Sequence, residues 1–320
     1  MADDEVRSHV AVRSGGPNDA TLIGASLGIV PWELAVHAWR ALVPELGAVP
    51  APDAVAGSYR LWWRGPEDDL GSRDLSGAPG SSAVVGRHGR ADVRLETDPS
   101  ISLRHVLVLP APGPQRPALR LVHLRAGLPM FLADAQPHLS LLVQGPFAVR
   151  LGRYVLGGFP IGPGEPPPPP EPPQIVPIED APAAGRAGAK ATRISEMPGP
   201  ITMVDGMGVV RGKGTTALLT GSRQGACSQL EIDPALLSAG ILVGRADRCD
   251  PAFASLVTPL VSRIHAAILE VGGRPWLFDC GSSNGTWQGR RRIRSAELGP
   301  ESAVFLAADG VELRWTEVPR

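Results

Sequence analysis

The sequence predicts an all-β protein in which a Pro-rich linker joins two β-sandwiches and a short helix lies near the N-terminus. Three observations predict this class. A length of 320 residues is enough for about two domains. With 38 Gly and 34 Pro, the chain carries about twice the average content of these turn-forming residues. Short apolar runs separated by Gly, Pro, Asn and Asp are typical of sandwich strands.

The predicted strands lie on both sides of the linker. Before it they are 59–63, 83–85, 106–109, 119–122, 130–132, 140–143 and 148–151. After it they are 216–219, 227–232, 241–243, 266–271, 276–278, 304–305 and 312–316. Neither half shows a long helical period, so each half is expected to bury its apolar faces between two sheets.

Composition divides the chain into four segments: an N-terminal segment over 1–57, a first sandwich over 58–160, a linker over 161–200 and a second sandwich over 201–320 with its core at about 215–317. In the linker, Pro166–Pro170 predict a stiff polyproline stretch that acts as a spacer.

The one helix predicted in the chain covers about 31–43. Pro31 suits the first turn, and Trp32, Val36, Trp39 and Val43 share one face. This face is expected to pack on the first sandwich, and docking on a partner is the alternative.

Charge and cysteine content exclude several classes. A formal net charge of −1 argues against a general nucleic-acid binder or a membrane-surface protein. Cys227, Cys249 and Cys280 are too far apart for a disulfide framework or a zinc site, which favours three reduced, buried thiols. No apolar run is long enough to insert into a membrane, and the N-terminus is acidic where a signal peptide is basic. We therefore expect a cytoplasmic protein without a metal.

Two patterns that resemble enzyme motifs are incomplete. Residues 281–285 read Gly-Ser-Ser-Asn-Gly and place Ser283 as a nucleophile, but no His follows His265 in the chain. The glycine-rich stretch 205–214 lacks the first Gly and the final Ser or Thr of a phosphate loop. We expect neither catalysis nor a cofactor.

Three loop signatures follow one another in the second half. Gly244-Arg245 follows one predicted strand, Ser262-Arg263-Ile264-His265 precedes the next, and Asn284-Gly285-Thr286 follows a third. Because the turns of a sandwich cluster at its ends, two guanidinium groups, hydroxyls and an amide would converge. Such donors suit a phosphate, which accepts several charge-assisted hydrogen bonds.

These signatures, together with Cys249-Asp250, resemble the forkhead-associated (FHA) family over about residues 215–317. That family is an eleven-stranded β-sandwich that binds phosphothreonine peptides through its apical loops. The resemblance implies that Arg245 and Ser262 bind phosphate directly and that Arg263 adds a second donor fork. It implies that Asn284 hydrogen-bonds the peptide backbone and that Ser283 assists.

The resemblance also implies that four residues brace these loops from inside: Gly244, His265, Gly285 and Thr286. One stretch departs from the family, because residues 251–260 are more apolar than this loop usually is. Those residues either shape peptide choice or cover the pocket.

The first half repeats the order in degenerate form. Gly86-Arg87 and Ser102-Leu103-Arg104-His105 match the first two signatures, and Arg87 and Ser102 mark the expected remnant of a pocket. Leu103 stands in the place of Arg263, and no Asn-Gly-Thr occurs. The equivalent region is expected at 133–137, where Asp134 would repel phosphate. We expect a sandwich that kept its scaffold and lost most of its ligand chemistry.

The leading hypothesis is a non-catalytic adaptor, bacterial in its setting, that binds threonine-phosphorylated proteins produced by an upstream Ser/Thr protein kinase. The alternative is a phosphate-independent scaffold in a multiprotein assembly such as a bacterial secretion apparatus. The arginine run at 290–294 lends positive potential to the site rather than forming a nucleic-acid surface. Thr192 in the linker is a candidate phosphosite that folds back on the second sandwich.

Overall fold

A computed structural model describes residues 57–65, 70–111, 117–124, 127–131, 137–144, 147–161, 175–176, 216–300 and 302–318. The predicted helix over 31–43, Thr192 and most of the predicted linker lie outside these residues. No helix in the described part of the chain has the length and apolar composition needed to cross a membrane.

The first unit of the chain spans Met1–Ile178 and contains two six-stranded sheets. One sheet has the order β2-β1-β11-β10-β7-β8, and the other has the order β12-β9-β6-β5-β3-β4. The strands are β1 (Tyr59–Arg64), β2 (Leu70–Leu75), β3 (Ala83–Gly86), β4 (Val93–Arg94), β5 (Val106–Ala111), β6 (Ala118–His123), β7 (Met130–Phe131), β8 (Pro137–His138), β9 (Ser140–Gln144), β10 (Phe147–Leu151), β11 (Tyr154–Pro160) and β12 (Ile175–Val176).

The second unit spans Glu179–Arg320 and contains a six-stranded sheet, β14-β13-β22-β21-β18-β19, and a four-stranded sheet, β15-β16-β17-β20. Its elements are β13 (Ala217–Arg223), β14 (Ala226–Ile232), α1 (Pro234–Ala239), β15 (Ile241–Val243), a 3-10 turn (Pro251–Phe253), β16 (Ala266–Val271), β17 (Arg274–Asp279), β18 (Thr286–Gln288), β19 (Arg291–Ile293), β20 (Ser295–Glu297), β21 (Ala303–Leu306) and β22 (Val311–Glu317).

The two units share one strand order. When strands are matched by their order along the chain, the sheet β2-β1-β11-β10-β7-β8 of the first unit has the same arrangement as the sheet β14-β13-β22-β21-β18-β19 of the second. In the other sheet, β9, β6, β5 and β3 correspond to β20, β17, β16 and β15. The prediction of two related sandwiches in an all-β chain is therefore confirmed.

Each sandwich has its own buried core. The first packs Tyr59, Leu61, Phe147 and Tyr154 among aliphatic side chains, and the second packs Phe253 and Trp315 in the same way. In both, alternate residues of each strand point inward, which is what period-two alternation in the sequence predicts.

The predicted strands all overlap observed strands, but several strands were not predicted. Polar edge strands such as β2 (Leu70–Leu75) lack the apolar signal. Strand β11 was missed because Gly157 and Gly158 interrupt its apolar pattern. A Cβ on Gly157 would lie 2.1 Å from the indole of Trp62, so this position needs glycine for packing.

Helix α1 was also not predicted, although its signals are present. Asp233 caps it by accepting a hydrogen bond from the Leu236 amide, Pro234 opens it and Gly240 follows it at φ +92°. Within the predicted linker, Ile175–Val176 pair with β9 as an edge strand.

The prediction that all three thiols are buried is wrong for one of them. Cys249 and Cys280 are buried, whereas Cys227 is exposed. Cys227 lies at the start of the edge strand β14, directly after the tight turn at 224–225, where the apolar run has not yet entered the core.

Candidate functional site

Two loops of the second sandwich meet backbone to backbone beyond β15. The Arg245 amide donates to the Ser262 carbonyl at 3.1 Å, and the Ala246 amide donates to the Arg263 carbonyl at 2.9 Å. A Cβ on Gly244 would lie 2.4 Å from the Arg263 carbonyl oxygen. Only glycine therefore lets these loops approach so closely.

The ring of His265 holds the second and third loops together from inside the sandwich. The ring is fully buried, and its Nδ1 accepts a hydrogen bond from the Ser262 amide at 3.1 Å. That bond places the proton of the neutral ring on Nε2, which donates to the Gly285 carbonyl at 3.1 Å. His265 is thus a structural brace whose two nitrogens are both engaged.

Ser262 connects the second and third loops. Its side-chain oxygen accepts a hydrogen bond from the Ser283 amide at 2.9 Å, and the residue is 8% exposed. Because the oxygen already accepts this bond, its hydroxyl hydrogen can be donated to a ligand.

Arg245 and Asn284 are anchored on neighbouring carbonyl groups. Arg245 donates from Nε to the Val261 carbonyl at 2.7 Å, and Asn284 donates from Nδ2 to the Leu260 carbonyl at 2.7 Å. The carbonyl of Asn284 in turn accepts a hydrogen bond from the Trp287 indole. Both residues are exposed, and both are anchored on the loop that precedes Ser262, so their remaining polar atoms are available to a ligand.

The apex carries the exposed Asp247 as well as its arginines, but the ion pairs among residues 216–300 and 302–318 include neither Arg245 nor Arg263. Arg263 is exposed. Burial, together with the nearby Arg263 guanidinium, lowers the pKa of Arg248. The structure therefore gathers Arg245, Ser262, Ser283 and Asn284 around one loop and places Arg263 beside them.

Asp279 shapes the third loop and was not among the predicted site residues. Its carboxylate accepts hydrogen bonds from the Ser282 amide at 2.8 Å, from the Ser282 hydroxyl and from the Thr286 hydroxyl at 2.6 Å. Thr286 thus braces the loop through Asp279. An Asp three residues before a Ser, at the end of an apolar strand, is the signal that identifies this turn.

Gly285 is the remaining brace. It adopts φ +78°, and a Cβ there would lie 2.4 Å from Nε of Arg292. The position therefore needs glycine both for its backbone conformation and for the side chain packed on it.

The apolar stretch 251–260 serves the core more than the apex. Ala252, Phe253 and Leu256 are buried, and a Cβ on Gly221 would touch the Phe253 ring at 2.7 Å. Leu260 is the exception, because it is 47% exposed and lies beside Asn284.

The first sandwich repeats the framework of this apex. The Arg87 amide donates to the Ser102 carbonyl at 3.0 Å, and Arg87 Nε donates to the Ile101 carbonyl at 3.0 Å. The Ser102 amide donates to Nδ1 of the buried His105 at 3.1 Å. Arg87 and Ser102 therefore occupy the places of Arg245 and Ser262.

The third loop differs between the two sandwiches. Strand order makes residues 124–129, between β6 and β7, the counterpart of 280–285, so the expected equivalence with 133–137 is wrong. His123 pairs with Val106 of β5 in the same way that Asp279 pairs with Ala266 of β16. His123 therefore occupies the position that Asp279 has in the second sandwich. His123 and His105 both approach the Leu128 carbonyl through Nε2 at 2.7 Å, which replaces the carboxylate network.

The fold and its apex define a class: β-sandwich modules whose loops present guanidinium, hydroxyl and amide groups at one end. Residues 241–305 match the family model named FHA domain. The second sandwich therefore contains an FHA domain, and the first has an FHA-like fold. FHA domains are phosphothreonine-binding modules.

Solved FHA structures are similar to part of this chain. FHA-1 of Mycobacterium tuberculosis Rv1747 matches with 26% identity and a TM-score of 0.27, covering 32% of this chain and 99% of that chain. The FHA domain of CT664 from Chlamydia trachomatis matches with 21% identity and a TM-score of 0.28, covering 33% and 100%. Mycobacterium tuberculosis EmbR, in complex with a low-affinity phosphopeptide, matches with 24% identity and a TM-score of 0.26, covering 33% and 26%. A search of curated proteins gave no match.

Proposed function

We propose that the second sandwich binds threonine-phosphorylated segments of partner proteins and that the chain is a non-catalytic adaptor. One observation carries this proposal. Arg245 and Asn284 are held on the adjacent carbonyls of Val261 and Leu260, which directly precede Ser262 in the chain, with no carboxylate of the described residues paired to Arg245. Such a set of donors is arranged for an anion.

Each side chain has a distinct role in the proposed complex. The terminal nitrogens of Arg245 and the hydroxyl of Ser262 donate to phosphate oxygens, and Arg263 supplies a second guanidinium. The amide of Asn284 fixes the peptide backbone next to the phosphothreonine. Ser283 assists, since its amide already orients the Ser262 oxygen.

The expected affinity suits reversible signalling. Three or four bonds to a charged group contribute about 1.5–3 kcal/mol each, and ordering of the peptide offsets part of that sum. A net free energy near about −8 kcal/mol corresponds to micromolar affinity. A Ser/Thr protein kinase would act upstream in the cytoplasm, where thiols such as the free Cys227 stay reduced.

The hydrogen bonds of His265 support a binding role for this site and argue against hydrolysis. A serine nucleophile needs a base that accepts its proton. Nδ1 of His265 already accepts the Ser262 amide, and Nε2 donates to Gly285. Ser283 is therefore better explained as a loop residue than as a nucleophile.

The direct test measures the affinity of the full chain for one threonine peptide in phosphorylated and unphosphorylated forms by titration calorimetry. The phosphorylated peptide alone should bind. Arg245→Ala should weaken that binding by more than about tenfold, because a charged hydrogen bond is lost. Arg274→Ala is the matched control, since Arg274 is an exposed arginine at the other end of β17 from Asp279. Equal Kd values for the wild type and Arg245→Ala would contradict the proposal.

The first sandwich is proposed to act as a scaffold without phosphate chemistry. Leu103 stands where Arg263 stands, and His123 replaces the carboxylate that shapes the third loop. In the full chain, Arg245→Ala with Ser262→Ala should therefore leave no phosphate-dependent binding. A residual micromolar Kd that Arg87→Ala abolishes would show that the first apex binds phosphate, and would remove the scaffold role.

A further inference from the structure

The hairpin β18–β19 carries a positive surface that the proposed phosphate contacts do not use. Arg290 lies in its turn, and Arg291 and Arg292 lie in β19, opposite Gln288 and Trp287. All three arginines are exposed. We call these three residues the arginine hairpin.

The arginine hairpin adjoins the peptide-binding loops. Arg292 Nη2 donates to the Ser282 carbonyl at 3.4 Å, and a Cβ on Gly285 would lie 2.4 Å from Arg292 Nε. The guanidinium therefore packs on the third loop, directly after Asn284. A peptide whose backbone is held by Asn284 would pass within reach of this side chain.

No described acidic group neutralises the arginine hairpin. The sequence holds no Asp or Glu between Asp279 and Glu297. Asp279 is engaged by Ser282 and Thr286, and Glu297 pairs with Arg274 at 2.8 Å. Exposed guanidinium groups that have no ion pair among the described residues can donate charge-assisted hydrogen bonds to an anionic ligand.

We infer that the arginine hairpin binds a second anionic side chain of the same peptide, so that the partner segment carries acidic or phosphorylated residues next to its phosphothreonine. This inference rests on the proposed function. Carboxylate and phosphate share the chemistry that the arginines recognise, and the peptide set separates the two sources. A protein segment is favoured over nucleic acid because the net charge is −1 and the arginine run of the sequence is short, covering only residues 290–294.

The experiment uses the full chain and three phosphothreonine peptides of equal length. Their flanking positions carry Gln in the first, Glu in the second and an additional phosphothreonine in the third. The variants are Arg292→Gln and the double substitution Arg290→Gln with Arg291→Gln. The double variant keeps the Arg292 packing on Gly285 and so preserves the loop. Arg274→Gln is the control.

Exposed ion pairs each change affinity by at most about fivefold, so the Glu peptide should bind the wild type about fivefold to twentyfold more tightly than the Gln peptide. The advantage should shrink in both variants, persist in the control, and fall when salt rises from about 0.05 M to about 0.3 M. If the doubly phosphorylated peptide gains more affinity over the Gln peptide than the Glu peptide does, the arginine hairpin prefers phosphate. If both peptides gain the same affinity, the hairpin binds anions in general.

Equal affinities of all three peptides for the wild type would overturn this inference alone. Absence of binding to every peptide would overturn the proposed function with it. A single-stranded oligonucleotide that binds the wild type more tightly than the Glu peptide, and loses affinity in the double variant, would assign the arginine hairpin to nucleic acid and overturn the inference.

Discussion

The apices of the two sandwiches are built from the same backbone hydrogen bonds but different side chains. In each, Gly-Arg meets the Ser-x-x-His loop, an arginine Nε donates to the carbonyl before the serine, and a buried His braces the turn. Only the second has Arg263 and a carboxylate-shaped third loop. The framework is therefore common to both sandwiches, and the expected difference in phosphate binding depends on Arg263 and the third loop.

The loop before the serine shows the same division. In the first sandwich it is held by polar bonds: Asp98 accepts from Ser100 and from the Arg153 amide at 2.7 Å. In the second it is held by burial of Phe253 and Leu256. Polar and apolar anchoring thus place the serine equivalently.

The largest expected effect on stability and binding comes from substitution of Gly244, where the backbones of two loops lie close together. Gly244→Val should destabilise the second sandwich by about 2–3 kcal/mol and abolish phosphopeptide binding, because a side chain collides with the Arg263 carbonyl. Gly86→Val should destabilise the first sandwich to a similar degree, because a Cβ there would lie 2.5 Å from the Leu103 carbonyl.

Denaturant unfolding and peptide titration measure both effects. Gly299→Ala is the control, since its nearest neighbour would be Ser302 Oγ at 3.8 Å. If Gly86→Val weakened peptide binding as strongly as Gly244→Val, the proposal that only the second sandwich binds the phosphopeptide would be wrong.

The carboxylate of the third loop gives an intermediate effect. Asp279→Asn places an amide against the hydroxyls of Ser282 and Thr286, and an unmatched buried polar group costs about 1–3 kcal/mol. We expect the Kd for the phosphopeptide to rise about tenfold. His123→Asn, at the corresponding position of the first sandwich, should change thermal stability and leave the Kd unchanged. A normal Kd in Asp279→Asn would show that this network does not position Asn284.

The smallest expected effect is the contribution of His88, in the first sandwich, to the pH dependence of stability. Burial lowers the pKa of His88, and the charges of Arg104 and Arg90 lower it further. The corresponding residue of the second sandwich is Ala246, whose amide makes the equivalent backbone hydrogen bond and which has no titratable side chain. Because protonation of His88 is less favourable in the folded than in the unfolded protein, stability is retained above the ordinary His pKa of about 6.5 and is lost as the pH falls below it.

Calorimetric scans at about pH 7.5 and pH 5.5, on either side of that value, should show a lower Tm for the first sandwich at the acidic pH. The shift attributable to His88 should stay below about 4 °C. His88→Gln should remove it. A Tm difference that is identical in wild type and His88→Gln would refute this assignment.

The sequence predicted most of the framework, because strands with apolar alternation and loops with fixed residue types carry local signals. Those signals are present at Gly244, Ser262 and His265, which the structure brings together in two contacting loops. Asp279 was missed because its short Asp-x-x-Ser pattern identifies only a turn, whereas its hydrogen bond from Thr286 depends on the folded loop. The counterpart of the Asn-Gly-Thr loop was misplaced at 133–137 because residues 124–129 carry no such motif, and the strand order that identifies them cannot be read from the sequence.

The anchoring of Arg245 and Asn284 on adjacent carbonyls has a consequence for how partners are studied. In the proposed complex these anchors would leave the two side chains little rotamer freedom to adapt, so the site would favour the tetrahedral dianion over other anions. A planar carboxylate offers fewer oxygens and half the charge. Replacing the partner's threonine by Asp or Glu should therefore imitate the unmodified partner, and only authentic phosphorylation should report the interaction.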